Sequence, residues 1–357
     1  MNLAAETLTT GQLNRALLAR QHLLERATAP ITRVIEDVGG LQTQYAPAGY
    51  IALWSRIANF ERSSLTRAIE AREAIHGTLM RVTIHTVSAL DYWPMAIAVR
   101  RSRREWLDRV TSRQRDGLDL SAAADAVREI LRDGSVKGRD ITRRVVERGF
   151  PAQAAGWSSA WVDTVRVPPS GTWERRADDL YALAEQWLPP AEIHPDGLPT
   201  EEDGIRLLLK RYLDGFGPAR PADFADWAGI PMNRGLPIIA TTDLRRFRDE
   251  AGRELIDLPE APLPAADTRA PVRFLPPFDP TLLVNCRRTQ ILPEEYRPRI
   301  FNTQTPWSTG AFLVDGHVAG TWRYEAGNVR TEAFVALPDD AQREVEAEAA
   351  ALAQFHN

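Results

Sequence analysis

The stretch Ala74-Ile-His-Gly-Thr-Leu-Met-Arg-Val-Thr-Ile-His-Thr-Val87 decides the fold. It is rich in β-branched residues, which favour strands. The segments before it carry apolar residues at helical spacing and are predicted helices: 11–24, 31–38, 47–57 and 63–72, the last capped by Ser63-Ser64. Ser88 begins a further helix. Several helices followed by a β-hairpin is the order of a winged helix, so the first part of the chain is predicted to form one.

The same order recurs twice along the chain. The second set has predicted helices at 122–131, 140–148 and 155–165 and a turn of wing type at 167–173. The third set starts at a capped helix at Thr200, and it continues through 205–213, 221–228 and 236–239 to a wing strand at 253–258. A proline-rich linker at 259–271 leads to strand-like segments at 272–275, 310–314, 317–324 and 329–337 and to an acidic helix at 338–356. Asp315-Gly316 predicts a hairpin turn within this last region.

Composition restricts the class of protein. A chain of 357 residues with 44% apolar and 26% charged residues is ordinary for a folded protein of several modules. It has no run of 18 apolar residues and no signal-peptide pattern, so we expect a cytoplasmic protein. The single cysteine, Cys286, excludes an internal disulfide framework and a zinc ribbon, and we expect it to be a buried small hydrophobe. The net charge of −4 argues against a histone-like binder, but a local basic face remains possible.

Two glutamines stand out in Val38-Gly-Gly-Leu-Gln42-Thr-Gln44-Tyr-Ala-Pro47, between two predicted helices. Side chains at i and i+2 of an extended segment share a face, so Gln42 and Gln44 are expected to project together and to hold one small polar object, such as water. Glutamine has no accessible pKa, so its carbonyl can orient water but cannot be an ordinary general base. Orientation is sufficient when the leaving group departs easily, as a purine alkylated at N7 does. In isolation, however, this short motif is more typical of solvated or helix-capping polarity.

Other candidate sites are weaker. The sequence contains no HExxH helix, no GxxxxGK[ST] loop and no GxSxG elbow. Of the six histidines, only His76 and His85 are expected to lie near each other, and we interpret both as wing or packing residues. The acidic pairs Asp178-Asp179 and Glu294-Glu295 are expected to be solvated. We therefore predict no metal site and no cofactor.

Five motifs in order give the chain a resemblance to the AlkZ-type winged-helix DNA glycosylases over about residues 10–335. They are Gly40-Leu-Gln42-Thr-Gln44, Leu79-Met-Arg81-Val-Thr83-Ile-His85, Val165-Arg-Val-Pro168-Pro-Ser-Gly171-Thr-Trp173 with Tyr181-Ala-Leu-Ala-Glu-Gln-Trp187-Leu, Phe274-Leu-Pro-Pro-Phe278-Asp279-Pro, and Val314-Asp-Gly-His-Val-Ala-Gly320-Thr-Trp322-Arg. The resemblance implies that Gln42 and Gln44 carry catalysis. Arg81, Thr83 and His85, which flank the first wing, are expected near the DNA. Two residues depart from the family pattern: Thr43 replaces an aliphatic residue, and Val82 replaces the glycine of Arg-Gly-Thr-x-His.

The resemblance also completes the predicted architecture. We expect an α+β fold, C-shaped overall, with three tandem winged-helix modules followed by a C-terminal β-barrel-like domain. The predicted modules are residues 1–105 with the glutamine pair, 106–195, 196–262, and 263–357 with the barrel-like domain and the C-terminal helix.

The predicted function is a monofunctional DNA glycosylase without lyase activity. Its expected substrates are N7-alkylated purines in double-stranded DNA. Glutamine at the second catalytic position suggests the branch that gives self-resistance to alkylating natural products, with bulky adducts or interstrand crosslinks as lesions. We expect a nucleoid-associated monomer. Two alternatives remain open from the sequence: a non-catalytic winged-helix DNA-binding protein or regulator, and a protein that sequesters a drug in an apolar pocket.

Overall fold

The computed structural model describes residues 6–114, 117–282, 288–301 and 308–357. Cys286 lies outside the described residues. The helices are α1 (Thr10–Arg20), α2 (Ile31–Asp37), α3 (Ala46–Arg56), α4 (Arg62–Glu70), α5 (Ala89–Thr111), α6 (Leu120–Leu131), α7 (Gly138–Glu147), α8 (Ala154–Trp157), α9 (Ala184–Trp187), α10 (Pro190–Ile193), α11 (Glu201–Phe216), α12 (Pro221–Ala228), α13 (Met232–Thr241), α14 (Arg297–Ile300) and α15 (Asp339–His356). The strands are β1 (Thr7–Leu8), β2 (Leu41–Gln42), β3 (Ala74–Thr78), β4 (Ile84–Ser88), β5 (Val136–Lys137), β6 (Thr164–Arg166), β7 (Leu180–Leu183), β8 (Arg245–Asp249), β9 (Glu254–Asp257), β10 (Arg273–Leu275), β11 (Gly310–Val314), β12 (His317–Glu325) and β13 (Asn328–Ala333).

The first winged helix has the element order that the sequence predicts. The elements α2, β2, α3 and α4 precede the antiparallel strands β3 and β4. Ser88 caps α5, because its side chain accepts a hydrogen bond from the backbone N–H of Asp91. The predicted serine cap of α4 is wrong: Ser63 and Ser64 lie inside the helix, and the extended residue before its first turn is Glu61.

The second winged helix consists of α6, β5, α7, α8, β6 and β7. Its third helix is much shorter than the predicted 155–165. After α8 ends at Trp157, the chain makes one 3-10 turn and becomes strand β6 at Thr164. The residues Val162, Thr164 and Val165 favour the extended conformation because they are β-branched, and this preference decides the second half of the segment.

The third winged helix consists of α11, α12, α13, β8 and β9. The predicted cap at its start is present as a capping box. The Thr200 side chain accepts from the backbone N–H of Asp203, and the Asp203 carboxylate accepts from the backbone N–H of Thr200. The N-terminal strand β1 adds to this module, because it pairs in parallel with β8.

The wings of the first two modules form one sheet. Strand β3 pairs with β6 through the partners His76 with Arg166 and Gly77 with Val165, which gives a six-stranded sheet of order β2-β4-β3-β6-β7-β5. Backbone hydrogen bonds therefore continue from one module to the next. This sheet fixes the first wing, and with it strand β4, relative to the second module.

Helix α5 connects the first two modules and packs along α11 of the third. A side chain at Gly204 of α11 would clash with the backbone oxygen of Pro94 and would lie 3.0 Å from the Ala98 side chain, so glycine permits the close approach. Helix α5 also contacts the second module: the Arg103 guanidinium donates to the Asp163 carboxylate at 2.7 Å. Of the helices in the described residues, α5 included, none is both long and apolar enough to cross a bilayer.

The C-terminal region contains the antiparallel sheet β10-β11-β12-β13. The predicted hairpin turn is present: Asp315 and Gly316 join β11 to β12, both with positive φ (44° and 77°), as a type I′ turn requires. Strand β13 ends at Ala333, earlier than predicted. Helix α15 packs on the sheet through the buried residues Val345, Ala349 and Leu352, while most of its acidic side chains face solvent.

Buried ion pairs tie the modules together. Arg56 of α3 makes two hydrogen bonds to Asp279, at 2.8 and 2.9 Å, and both side chains are fully buried. Arg20 makes a similar two-point contact with Asp257 of the third module, also buried. The Phe278-Asp279-Pro motif thus has a packing role, because it supplies the buried partner of Arg56.

We expect Asp279→Ala to lower the free energy of unfolding by about 3–5 kcal/mol, because it leaves the Arg56 charge buried without its carboxylate. Urea denaturation measures this difference. The matched control is Glu325→Ala, which breaks the exposed Arg323–Glu325 pair and is expected to cost less than about 1 kcal/mol. Equal costs for the two variants would contradict the assignment of the Arg56–Asp279 pair as a structural link.

Candidate active site

Gln42 and Gln44 project together, as their spacing predicts. The Nε2 of Gln42 donates a hydrogen bond to the Oε1 of Gln44, with a donor–acceptor distance of 2.9 Å. Gln42 is largely buried, with 9% of its surface exposed, whereas Gln44 is exposed. Thr43 lies on the opposite side, where its hydroxyl is 3.0 Å from that of Thr86 in the interior. The pair therefore opens to solvent on the Gln44 side.

The local sequence explains this geometry. Gly39 and Gly40 both have positive φ (74° and 83°) and end α2, where the N–H of Gly40 donates to the carbonyl of Ile35 at 2.8 Å. The chain then pairs with β4 through Gln42 and His85 before Pro47 helps to start α3. Gln42 thus ends the short edge strand β2, and Gln44 lies just beyond it, in the bend that leads into α3.

Arg81 fixes the orientation of the Gln42 amide. Its Nη2 donates to the Oε1 of Gln42 at 3.2 Å, and its Nη1 donates to the backbone carbonyl of Trp227 in the third module. With its oxygen facing Arg81, the Gln42 amide turns its NH2 group toward Gln44. A directed chain of hydrogen bonds results, running from Arg81 to Gln42 to Gln44.

The imidazole of His85 lies next to this chain and is neutral. His85 is 2% exposed, and its Nδ1 is 3.0 Å from the carbonyl oxygen of Thr83, which makes Nδ1–H the donor. Burial and the adjacent Arg81 guanidinium lower the pKa of His85 to about 3. Thr83 donates its hydroxyl to the Met80 carbonyl at 3.0 Å. The structure therefore gathers Arg81, Thr83 and His85 beside Gln42.

The turn that carries Arg81 has an unusual backbone. Arg81 and Val82 both have positive φ, 53° and 60°. A β-branched residue in this conformation is strained, whereas glycine adopts it freely. Glycine at position 82 would therefore relieve this strain. The third module contacts the same turn: a Cβ placed on Gly229 would lie 2.8 Å from the backbone nitrogen of Arg81.

The remaining candidates lie elsewhere. His76 pairs with Thr86 and therefore faces the opposite side of the sheet from His85. The described residues contain no cluster of three or more possible metal ligands. The predicted solvation of Asp178 is wrong. Its Oδ2 lies 3.0 Å from the Nε of Arg166, and burial raises the pKa of Asp178 to about 6. The pair Glu294-Glu295 is exposed, as predicted.

A family model described as "DNA glycosylase AlkZ-like" matches residues 35–355. The chain belongs to the AlkZ-like DNA glycosylase family. It is thus a DNA glycosylase, and the hypothesis of a non-catalytic regulator is not supported.

A relative in sequence and a solved structure, both from Streptomyces sahachiroi, are similar to this AlkZ-like glycosylase. One is named "Interstrand DNA cross-link repair glycosylase" and is 24% identical over 338 residues, which covers 85% of each chain. The other is the solved structure of the DNA glycosylase AlkZ, with a TM-score of 0.78 and 19% identity over 98% of this chain and 97% of that one. The structural likeness establishes a shared fold, in agreement with the predicted α+β architecture.

One contact of the site could not be read from the sequence of this AlkZ-like protein. The carbonyl of Trp227 that accepts from Arg81 is a backbone group, 146 residues away along the chain. Every residue has a backbone carbonyl, so the residue type does not show which carbonyl accepts this hydrogen bond. The sequence predicts Arg81 as a DNA contact, whereas its hydrogen bonds within the protein are visible only in the fold.

The strained turn yields a stability prediction. At most positions alanine is more stable than glycine by roughly 0.5–1 kcal/mol, but at positive φ the order reverses. We expect Val82→Gly to be more stable than Val82→Ala by about 1 kcal/mol, measured as the difference in urea unfolding free energy. The Ala and Gly variants of Arg139, an exposed helical residue, are the control and should show the usual order. An Ala variant more stable than the Gly variant at position 82 would argue against the left-handed turn.

The lowered pKa of His85 yields a second prediction. Between pH 6.5 and 3 the unfolded chain binds a proton that native His85 does not, so stability falls as the pH falls through this window. Between pH 7 and 5 the titration of His85 lowers the free energy of unfolding by about 2 kcal/mol. We expect His85→Asn to lose about 2 kcal/mol less than the wild type over this interval, by urea denaturation at both pH values. The control is Gln153→Ala, which replaces an exposed side chain that does not titrate and should lose as much as the wild type.

Proposed function

We propose that this AlkZ-like glycosylase hydrolyses the N-glycosidic bond of purines alkylated at N7, with Gln42 and Gln44 orienting the attacking water. The observation that supports this is the hydrogen bond between the two amides, with Gln42 buried and Gln44 exposed. A water molecule at the Gln44 side meets an amide oxygen with a free lone pair and an amide NH2. It can donate a hydrogen to that oxygen and direct its own lone pair at C1′ of the sugar.

The reaction needs no strong base at this site. A purine alkylated at N7 is already cationic and leaves as a neutral molecule, so departure of the base precedes most of the bond formation to water. The barrier is then lowered mainly by position and by electrostatics. Glutamine suits this task, because it holds water without depending on pH.

Arg81 places a positive charge near the reacting sugar, which at first sight opposes an oxocarbenium-like transition state. In this substrate, however, the positive charge moves from the base to the sugar and its amount stays the same. Repulsion by Arg81 therefore acts on the ground state and on the transition state alike, and it contributes little to the barrier. What remains is its effect on Gln42, whose amide it holds in one orientation.

We accordingly propose that Arg81 and His85 act as positioning residues. The Arg81 guanidinium is engaged with Gln42 and the Trp227 carbonyl, and His85 is 2% exposed, so their side chains serve the glutamine pair more directly than they serve the DNA. Thr83, which is half-buried, holds the turn through the Met80 carbonyl. Contacts to DNA phosphates then fall to exposed arginines of the modules.

The lesion is proposed to be a bulky N7 adduct or an interstrand crosslink from a genotoxic natural product, with a role in self-resistance or repair. Two observations support this. The relative from Streptomyces sahachiroi is named as an interstrand crosslink repair glycosylase, and this chain has glutamine at the second position of the motif. We further propose that the protein acts as a monomer on double-stranded DNA.

The proposed reaction is hydrolytic and leaves an abasic site in an intact strand. A lyase step would require an amine that attacks C1′ to form a Schiff base. The two lysines are Lys137 in β5 and Lys210 in α11, and the ε-amino group of Lys210 is bound to Asp214 at 2.6 Å. We expect DNA treated with the enzyme to be cleaved only after alkali is added.

The decisive experiment replaces both glutamines. We expect Gln42→Ala/Gln44→Ala to lower the single-turnover rate of N7-methylguanine release from a duplex by roughly 100-fold or more. Duplex affinity should change little, because neither residue is proposed to contribute much binding energy. Released base is measured by chromatography, and affinity by fluorescence anisotropy.

The matched control is Gln153→Ala, which removes an exposed glutamine of the second module and should leave the rate unchanged. If the double variant releases base as fast as the wild type, the glutamine pair is not the catalytic device. If affinity and rate fall together, the pair binds DNA and does not orient water.

A further inference from the structure

A cavity of about 440 Å³ lies on the far side of the turn that carries Arg81. It is enclosed by three parts of the fold: the turn itself, helix α5, and the connection from α12 to α13. Its lining comprises Arg81, Val82, Val99, Ser102, Arg103, Glu105, Trp106, Arg109, Ala225, Asp226, Gly229, Ile230 and Pro231. The volume lies in the range of small-molecule binding sites.

The chemistry of the cavity changes from floor to mouth. The buried floor combines the apolar residues Val99, Ala225 and Ile230 with the polar residues Ser102 and Arg103. At the mouth stands Trp106, a large apolar side chain with 41% of its surface exposed. Charged side chains complete the mouth, among them Arg109. A partly apolar floor with buried hydrogen-bonding groups and an exposed indole suits a planar, mostly apolar group with polar edges.

The cavity and the candidate site share one residue, Arg81. The same residue that lines it also donates to the Oε1 of Gln42. A substituent on N7 of guanine projects from the base into the major groove, away from the Watson–Crick edge. A lesion whose sugar is presented to the glutamine pair therefore carries its substituent toward the protein surface around this site.

We propose that this cavity binds the non-nucleobase part of a bulky N7 adduct, with Trp106 stacking on its planar group. This inference rests on the proposed function and names the part of the substrate that selects it. The occupant is a planar, largely apolar substituent with polar edges, because apolar and polar residues share the floor and the aromatic ring at the mouth is open to solvent. A methyl substituent is too small to reach the indole.

Val82 gives the cavity its inner wall. The same side chain also lines a second cavity of about 420 Å³, which is formed by the second module. The wall between the two is reinforced by Arg103, which donates to the carbonyl of Thr78. The strained left-handed Val82 thus limits how far a substituent extends inward.

The experiment compares binding of two lesions, separately from catalysis. One duplex carries N7-methylguanine and the other carries guanine with a naphthylmethyl group at N7, both on 2′-fluoro sugars that slow base loss. Affinities are measured in the Gln42→Ala/Gln44→Ala background by fluorescence anisotropy. We expect this protein to bind the naphthylmethyl duplex more tightly than the methyl duplex.

Trp106→Ala is expected to raise the Kd for the naphthylmethyl duplex by about 10-fold, since aromatic stacking contributes on this scale. The Kd for the methyl duplex should change by less than about 2-fold. Trp106→Phe should restore most of the preference, because it keeps a ring. The control is Leu90→Ala, a more exposed apolar position on the same helix that does not line the cavity.

A wild-type-like preference in Trp106→Ala, an equal loss for both duplexes, or no preference in the parent protein would each overturn the inference. Because Trp106 is exposed, its replacement has little effect on folding, which the melting temperature verifies. Failure of the proposed function would be seen in a different assay, because the wild-type enzyme would then release neither modified base from ordinary deoxyribose duplexes. The binding comparison does not depend on base release, so it would still show whether the protein prefers the naphthylmethyl duplex.

Discussion

The hydrogen bonds of the Arg81 guanidinium join the first module to the third at the candidate site. One nitrogen donates to the side-chain oxygen of Gln42, and the other donates to the backbone carbonyl of Trp227. An amide side chain has two chemically different ends, and in the absence of a charged donor both orientations are accessible. Arg81 selects one of them, so the NH2 group of Gln42 points to Gln44. The orientation of both amides, and of any water between them and the DNA, depends on this contact.

The rest of the fold holds the Arg81 turn in place. The common sheet of the first two wings fixes strand β4 from one side, and Gly229 at the end of α12 fits closely against the turn from the other. Buried ion pairs such as Arg56–Asp279 keep the modules from moving relative to one another. A buried charged pair is costly to break, so it is well suited to fixing a relative position. The site is in this sense a property of three modules together.

This arrangement has an energetic cost, which is concentrated around Gln42. Val82 occupies a left-handed conformation that β-branched residues avoid, and His85 is buried in its neutral form beside a guanidinium. Both features lower the stability of the protein, the second one increasingly at acid pH. Strained residues and residues with shifted pKa values often accumulate at functional sites. Here they surround two side chains that have no charge of their own.

The sequence by itself determined the order of helices and strands in the first module, the hairpin at Asp315-Gly316 and the common face of Gln42 and Gln44, because these depend on local periodicity, turn chemistry and residue spacing. It did not determine where the helix predicted at 155–165 ends, since strand pairing competes there with helix formation. Only the tertiary structure decided that Arg81 binds Gln42 and a carbonyl of the third module. Contacts of this kind arise between segments far apart in sequence, and a backbone acceptor is present at every residue, so no local pattern marks the one that is used.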